Sequence, residues 1–338
     1  MKTKIGKVTL AHGSGGRLSH ELITGRILKV LDNPLLAPLG DSARCPIGNQ
    51  RIAFTTDSYV VKPLFFPGGD IGTLAVSGTV NDLAVMGARP LYLSCGLIVE
   101  EGLDLSVLDR ILTSMKETAR KAGVEIVTGD TKVVEKGGAD GLFINTAGMG
   151  QIEGDFHLSM NRIEVGDQVI LSGTIGDHGM AVLSQREGLS FQSDIQSDCA
   201  PLNDLIGRMM EAGSAIKFMR DPTRGGLATT LNEIAEHAGG GVRIYEDRIP
   251  VRGGVRGLCE ILGLDPLYVA NEGKVVAVVE LGAAEHVVEL MRTHPLGKET
   301  RIIGEIVPDP KGRVGLQTAI GGTRIVDMLV GEQLPRIC

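Results

Sequence analysis

Apolar residues recur every three or four positions in several segments of this chain, which is the spacing of amphipathic helices. The pattern predicts helices over residues 18–30, 70–86, 104–122, 227–238 and 284–291. Asp70 and Asp104 stand where helix N-caps are expected, and Gly87 and Gly123 stand where these two helices should end. Two of the predicted helices are therefore defined at both ends.

Shorter apolar runs between the helices predict strands. They cover residues 51–56, 91–99, 124–128, 142–147, 168–172, 216–219, 275–279, 301–303 and 324–326. The first strand should end at Asp57, and strand 124–128 should run into Gly129 and Asp130. Because strands and helices are mixed throughout, we expect two lobes of the α+β or α/β class.

The hydrophobic pattern restarts near Asp155. This restart predicts two domains, which cover residues 1–155 and 156–331. Residues 332–338 contain Pro335 and have no periodicity, so they should form a flexible tail that carries Cys338. No run of about 18 apolar residues is present, so no segment should span a membrane.

Net charge and cysteine spacing indicate the cellular compartment and the kinds of ligand that the protein binds. The formal net charge is -7, with both signs well mixed, whereas nucleic-acid-binding proteins usually carry a basic patch. The chain has 47 glycines, about twice the usual share. The five cysteines stand far apart without a C-x-x-C pair, and the N-terminus does not resemble a signal peptide. The sequence therefore predicts a reduced, cytoplasmic protein that does not bind nucleic acid.

Five aspartates at predicted element ends or within a helix could converge on a cation; they are Asp41, Asp57, Asp82, Asp130 and Asp221. Magnesium prefers oxygen ligands and bridges nucleotide phosphates. Each aspartate could instead be a turn former or a helix cap. Asp82 differs, because Asn81 and Asp82 lie inside an apolar helix pattern, where a buried carboxylate needs a partner such as a metal.

Two glycine-rich segments, residues 12–17 and 221–226, could hold phosphate. The second follows a predicted strand and opens a helix at Gly225 and Gly226, where free N–H groups suit anions. The chain has neither a P-loop nor a complete dinucleotide-binding fingerprint. The glycines could therefore equally serve tight turns.

Cys338 ends the predicted tail, from which a thiol could reach into a pocket. A thiolate is a good nucleophile, but the adjacent α-carboxylate should raise its pKa. An inert terminal residue is the alternative.

Four segments together resemble the HypE family of hydrogenase maturation proteins; they cover residues 79–90, 129–134, 221–227 and 335–338. The likeness extends over essentially the whole chain. The first and third segments are shared, in looser form, with the superfamily of aminoimidazole ribonucleotide synthetase and selenophosphate synthetase. The terminal Pro-Arg-Ile-Cys is the specific part.

The resemblance implies two α+β domains of the aminoimidazole ribonucleotide synthetase type, with the N-terminal domains pairing into a β-barrel across a homodimer. It implies ATP and Mg²⁺ between the lobes. It further implies that a carbamoyltransferase, HypF, carbamoylates Cys338 and that ATP drives dehydration of this group to a thiocyanate. A HypC–HypD complex would then receive the cyanide for the iron of nickel-iron hydrogenase.

Residue roles follow from the same resemblance. Glu272 is expected to be the base that removes the N–H proton, unless it is a surface charge near a turn, and Lys132 is expected to hold the phosphoryl group or the thiocarbamate. The expected metal ligands are Asp41, Asp82, Asp130 and Asp221. The expected nucleotide site comprises these four with Asp57, Asn81, Gly225 and Gly226. Residues 12–16 should form a mobile loop that closes over the nucleotide.

Two other functions fit parts of the sequence. A small-molecule enzyme of the superfamily, such as a selenophosphate synthetase or a kinase, would not need Cys338. A non-catalytic thiol carrier would need Cys338 but no magnesium–nucleotide site.

Overall fold

The computed structural model describes residues 8–31, 33–154, 157–188, 195–331, 334 and 336–338. Asp155, where the sequence pattern restarts, and Pro335 of the terminal motif lie outside these ranges. The first helical segment comprises α1 (Arg17–Leu22), a π-helical turn (Ile23–Ile27) and α2 (Leu28–Leu31). It matches the predicted helix at residues 18–30.

The N-terminal lobe is built on a five-stranded sheet with the order β1-β2-β7-β5-β6. Its elements are β1 (Ala43–Ile47), β2 (Gln50–Tyr59), the short ribbon of β3 (Phe65–Phe66) and β4 (Gly69–Asp70), α3 (Ile71–Val85), β5 (Ala88–Glu100), α4 (Leu105–Ala122), β6 (Glu125–Val134) and β7 (Leu142–Ile152). Of the strand pairs in this sheet, β5 and β6 are parallel and the others are antiparallel.

Helix α3 lies between the sheet and α4, so almost all of its residues are buried. The Asp70 carboxylate caps α3 by accepting hydrogen bonds from the N–H groups of Gly72 and Thr73 at 2.8 and 2.9 Å, as predicted. Gly72 allows the close approach of α4, since a Cβ there would lie 2.6 Å from the carbonyl oxygen of Ile111. The N-terminal half of α3 is thereby fixed between its neighbours.

The C-terminal lobe has a seven-stranded sheet with the order β14-β13-β10-β12-β8-β11-β9. Its elements are β8 (Gln168–Leu171), α5 (Asp177–Arg186), α6 (Asn203–Met210), β9 (Ile216–Arg220), α7 (Gly226–His237), β10 (Gly241–Tyr245), α8 (Gly253–Leu262), β11 (Val276–Val279), α9 (Ala284–Arg292), β12 (Arg301–Val307), β13 (Val314–Gln317) and β14 (Thr323–Val326). All four residues of β11 are buried, because α7 packs on one face of the sheet and α6 and α9 on the other.

The mixed α+β class and the two-lobed organisation are confirmed. Two predicted strand ends are wrong. Strand β2 continues through Asp57, which pairs with Thr146 of β7, and β6 continues through Asp130, which pairs with Gly96 of β5. Pairing with a long neighbouring strand therefore extends both strands past their expected ends. No helix within the described ranges is both long and apolar enough to cross a membrane.

Candidate active site between the lobes

The C-terminal half of α3 contacts the second lobe through Asn81, which is buried. The amide nitrogen of Asn81 donates to the carbonyl oxygens of Ala200 and Glu272 at 3.1 and 3.3 Å. Its side-chain oxygen accepts from the N–H of Leu202 at 2.7 Å. These three bonds bring the next residue of α3, Asp82, to the boundary between the lobes.

Four of the five predicted aspartates lie near one another at this boundary. Thr55 donates its hydroxyl to Oδ2 of Asp82 at 2.9 Å. Burial raises the pKa of Asp82 well above its usual range, and the charges of Asp221, Asp41 and Asp57 raise it further. These mutual effects define an acidic cluster consisting of Asp41, Asp57, Asp82 and Asp221.

Arg220, which the sequence analysis missed, joins this cluster to the second lobe. Its guanidinium contacts Asp41 at 2.9 Å and Glu233 of α7 at 2.5 Å. Burial lowers the pKa of Arg220, but the charges of Asp41 and Glu233 outweigh it and raise the pKa overall. The sequence does offer a signal for Arg220, because it is a cationic residue directly before the predicted ligand Asp221.

The chain does not fully compensate the ionised forms of the other aspartates in the cluster. Burial and the charge of Asp41 raise the pKa of Asp221 to about 7. Burial also raises the pKa of Asp57, against the opposing effect of Arg224. No three His, Cys, Asp or Glu side chains in the described ranges converge closely enough to hold a metal by themselves. A cation here would therefore need further oxygen ligands, as magnesium on a nucleotide has.

The predicted glycine-rich segment does open a helix, α7. Gly225 and Gly226 have φ angles of 80° and 61°, in the left-handed region that favours glycine. A Cβ at Gly226 would lie 2.6 Å from the carbonyl oxygen of Leu267. The backbone at Leu267 therefore packs directly against the glycine-rich segment. The preceding residue, Arg224, donates to the carbonyl oxygen of Gly13 at 3.1 Å and thereby contacts the N-terminal glycine-rich segment.

A cavity of about 190 Å³ lies beside these two segments and contains the end of the chain. Its walls include Ser14, Val60, Arg224, Tyr268 and Cys338. Burial raises the pKa of the Cys338 thiol to about 12; Arg224 lowers it, and Glu272 and Asp57 raise it. The terminal thiol therefore shares one electrostatic environment with the predicted base and with the acidic cluster.

Glu272 is 4% exposed, so the alternative of a surface charge is wrong. Its Oε1 has no hydrogen-bond partner among the described residues. Burial raises the pKa of Glu272 well above its usual range, and Asp221 and Asp57 add to the effect. Both properties suit a group that accepts a proton.

The loop that carries Glu272 is held by two buried residues that the sequence analysis did not select. Asp198 accepts from the N–H groups of Glu272 and Gly273 at 3.1 and 3.3 Å and from Lys274 Nζ at 3.0 Å. The amide of Asn271 donates to the carbonyl oxygen of Pro222 at 2.9 Å. Since these partners are distant in sequence, no local motif indicated them.

Asp130 and Lys132 are not brought to this site within the single chain. They form an ion pair at 2.7 Å on β6, and each side chain is 69% exposed. β6 is the edge strand of its sheet, and nearly all of its residues are exposed. The acidic cluster therefore contains four of the five predicted aspartates.

Comparison with known proteins matches both lobes to one pair of domains. Residues 40–152 match the N-terminal domain of AIR synthase related proteins, and residues 164–317 match their C-terminal domain. A carbamoyl dehydratase HypE of Bradyrhizobium diazoefficiens is 54% identical over 98% of this chain and 96% of its own. The carbamoyl dehydratase HypE of Escherichia coli is 49% identical over 98% of this chain and 99% of its own.

Solved HypE structures are also similar to this chain over nearly its whole length. The fold is similar to that in a HypE–HypF complex, with a TM-score of 0.87, 50% identity, and coverage of 91% of this chain and 99% of the other. A HypE structure in complex with ATP has a TM-score of 0.82, 50% identity, and coverage of 98% and 100%. A thiamine monophosphate kinase from Aquifex aeolicus, at 17% identity and a TM-score of 0.68, shares the fold over 93% of this chain and 99% of its own.

Proposed function

Because this chain belongs to the HypE carbamoyl dehydratases, within the AIR synthase related proteins, we propose that it uses ATP to dehydrate a carbamoyl group on its own Cys338. The product would be a thiocyanate on the same sulfur. One observation carries the proposal: the terminal thiol lies in a cavity beside Arg224, in the electrostatic field of Glu272 and Asp57. A small-molecule enzyme would have no need to place its own terminus there.

The reaction removes one oxygen and two protons from the carbamoyl group. ATP supplies the phosphoryl group that makes this oxygen a leaving group, since an amide oxygen is otherwise a poor one. One N–H proton is lost as the oxygen is phosphorylated, and the second is lost as phosphate departs and the C≡N bond forms. ATP thus ends as ADP and phosphate, and the sulfur keeps its bond to carbon throughout.

Glu272 is the proposed acceptor of the second proton. Its buried carboxylate has one oxygen without a hydrogen-bond partner in the described part of the chain, and its pKa is raised, chiefly by burial. A carboxylate with a raised pKa is a stronger base once it has lost its proton. The bonds from its loop to Asp198 and Asn81 would keep this oxygen in place during the reaction.

Magnesium fits the acidic cluster. Burial and neighbouring carboxylates raise the pKa values of Asp82 and Asp221, so their ionised forms lack full compensation within the chain, and a bound cation would supply it. Since no three of these carboxylates meet at one point in the described ranges, only some of Asp41, Asp82 and Asp221 would hold the ion, with phosphate and water oxygens as its other ligands. The ion would offset charge on the transferred phosphoryl group. Gly225 and Gly226 would approach the phosphates through the backbone at the start of α7.

A homodimer is part of the proposal. Nearly all of the edge strand β6 is exposed, including the apolar side chains of Val127 and Val133 at 57% and 70%. An exposed apolar edge is suited to pairing with a second copy. If the N-terminal lobes pair through such a surface into a β-barrel, Asp130 and Lys132 would lie at the interface, and their predicted roles would depend on the second subunit.

HypF is the proposed donor of the carbamoyl group, since a solved HypE–HypF complex contains a HypE that is 50% identical to this chain. The HypC–HypD iron scaffold is the proposed acceptor of the cyanide. Both proposals place the chemistry at Cys338, which would have to leave the cavity for loading and for delivery.

The test is the intact mass of the protein after carbamoylation by HypF, before and after addition of magnesium ATP, with Cys338→Ala alongside. We expect a carbamoyl gain in the cysteine form, followed by loss of one water that requires ATP. A carbamoyl group that survives ATP would favour the thiol carrier. Absence of any modification at Cys338, with ATP turnover retained by Cys338→Ala, would favour a small-molecule enzyme.

A further inference from the structure

The last residues of the chain run antiparallel to residues 60–62, just beyond the end of β2. Val60 N–H donates to the carbonyl oxygen of Cys338 at 3.2 Å, and Lys62 N–H donates to that of Arg336 at 3.2 Å. This is the spacing of an antiparallel strand pair, with Ile337 opposite Val61. The tail thus binds its own protein by strand addition, a mode in which side-chain pockets provide the specificity.

The last two residues of the tail differ in burial. Ile337 is 3% exposed and belongs to the apolar core that contains Tyr59, Val61 and Val182. Cys338, the next residue, is half-buried; it packs against the same core, and both residues line the cavity. Because adjacent residues of a strand face opposite sides, a shift by one position would take Ile337 out of its buried place. Burial of Ile337 therefore fixes the register in which Cys338 meets the cavity.

Arg336 is recognised by its charge. Its guanidinium forms an ion pair with Asp140 and donates to the carbonyl oxygen of Val60 at 3.1 Å. It also lies 5.7 Å from the ring centre of Phe143. A neutral residue at position 336 would lose all three interactions.

His178, which is fully buried, holds the tail from the second lobe. Its Nε2 lies 2.8 Å from the carbonyl oxygen of Ile337, and its Nδ1 lies 2.8 Å from Oγ of Ser197. Because a carbonyl oxygen can only accept, Nε2 carries the hydrogen in the neutral ring, and Nδ1 accepts from the Ser197 hydroxyl. An edge-to-face contact with Phe66 at 5.3 Å further fixes the ring.

Arg186 joins both sides of the groove. It donates to the carbonyl oxygen of Arg336 at 2.6 Å and to that of Lys62 at 2.8 Å. One side chain of the second lobe thus binds the tail and the segment against which the tail lies. Together with His178, it makes tail binding depend on both lobes.

We propose that residues 60–62, His178 and Arg186 form a groove that selects the Arg336–Ile337 dipeptide, and that His178 is a positioning residue that sets where Cys338 lies in the cavity. The inference rests on the proposed function and adds the specificity of the site. The reacting cysteine is accepted because of the two residues before it. A cysteine that follows an acidic residue would not stay in the cavity.

The test measures the rate at which Cys338 is alkylated in the full-length protein. Mass spectrometry of the C-terminal peptide reports the fraction alkylated. The docked thiol is partly shielded and protonated at neutral pH, so the reagent reports on the undocked tail. Ile337→Asp and His178→Leu should be alkylated about tenfold faster than wild type, as expected for loss of apolar burial or of a buried hydrogen bond. Ile337→Val should be alkylated within about threefold of the wild-type rate. The same holds for His178→Gln, because glutamine keeps a hydrogen-bond donor near the position of Nε2.

Ile320→Asp is the control, because Ile320 is 96% exposed in the turn between β13 and β14, and its replacement should leave the rate unchanged. Alkylation of Ile337→Asp at the wild-type rate would overturn the proposal, and this variant decides the matter even if His178→Leu fails to fold. Dehydration of carbamoylated Ile337→Asp at the wild-type rate would also overturn it. A wild-type protein that protects Cys338 but never dehydrates it would instead reject the proposed function and leave the groove intact.

Discussion

The side-chain amide of Asn81 lies 3.3 Å from the backbone carbonyl oxygen of Glu272, a residue 191 positions further along the chain. A helix of the first lobe thereby holds the loop that carries the proposed base of the second. The same amide also binds Ala200, and its oxygen binds Leu202. The side chain of Asn81 thus bonds to three backbone groups of the second lobe, and its nucleotide-binding role stays a prediction.

Replacement of Asn81 by alanine should lower the free energy of unfolding by about 2–3 kcal/mol, because it leaves three buried backbone groups without partners. Urea unfolding would measure the loss. Asn49→Ala, in the exposed turn between β1 and β2, is the matched control and should change stability by less than about 0.5 kcal/mol. Equal effects of the two substitutions would show that the Asn81 bonds contribute nothing specific.

Gly273→Ala should disturb the loop of the proposed base. A Cβ at this position would lie 1.8 Å from the carbonyl oxygen of Asp198, so the backbone must move. We expect a stability loss of ~1–3 kcal/mol and a fall in the dehydration rate on the order of a hundredfold. Thermal unfolding and the mass assay for loss of water would measure the two effects.

Gly207→Ala is the contrasting substitution. Gly207 lies within α6, and a Cβ there would meet no atom within 4 Å. Alanine should therefore stabilise the protein by about 0.5–1 kcal/mol and leave dehydration unchanged. A stability loss at Gly207 as large as that at Gly273 would mean that the close contact with Asp198 is not the cause.

Arg220→Ala should leave the carboxylates of Asp41 and Glu233 without their shared partner. We expect a loss of about 2–3 kcal/mol, less than for a fully buried pair, because all three side chains are partly exposed. Arg89→Ala breaks an exposed pair with Glu153 of similar length, 3.0 Å, and should lose about 0–1 kcal/mol. Chemical unfolding of both variants in parallel would reject the prediction if Arg89→Ala lost as much as Arg220→Ala.

Acid should weaken the fold through His178. Burial lowers the pKa of this residue below its usual value of 6.5. Below about pH 6.5 the unfolded chain therefore binds a proton that the folded chain does not, and stability falls as the pH falls. Between pH 6.5 and 5.5 this contribution is up to about 1 kcal/mol.

The measurement compares urea unfolding of wild type and His178→Gln at pH 7.5 and 5.5. The variant should lose less stability than wild type over this interval. His286→Gln, at an exposed position of α9, should behave as wild type does. A loss in His178→Gln equal to that in wild type would exclude His178 as the acid-sensitive group.

The sequence predicted local structure well, because local structure depends on neighbours in the chain. The Asp70 cap, the glycines that open α7 and the positions of most helices all follow from spacing and residue type. The exceptions include β10 and β13, which carry no strong pattern of their own and form where neighbouring strands offer pairing partners.

The site was harder to predict, because its contacts join distant residues. Asp41, Asp82 and Asp221 were selected individually, and the structure brings them together. Nothing near His178 in the sequence indicated that it would bind Ile337, which is 159 positions away. Asp130 matched a motif that is also local, yet the placement of its strand at an edge removes it from the cluster within one chain.

The presence of Cys338 in the cavity of its own chain has a consequence for kinetics. A tethered reactant is present at a fixed effective concentration, set by the tail rather than by the amount of protein in solution. Once the thiol is loaded, conversion would be first order and would not change on dilution. Each loading would supply a single turnover, so the overall rate would depend on how often the tail leaves the groove, meets its partners and returns.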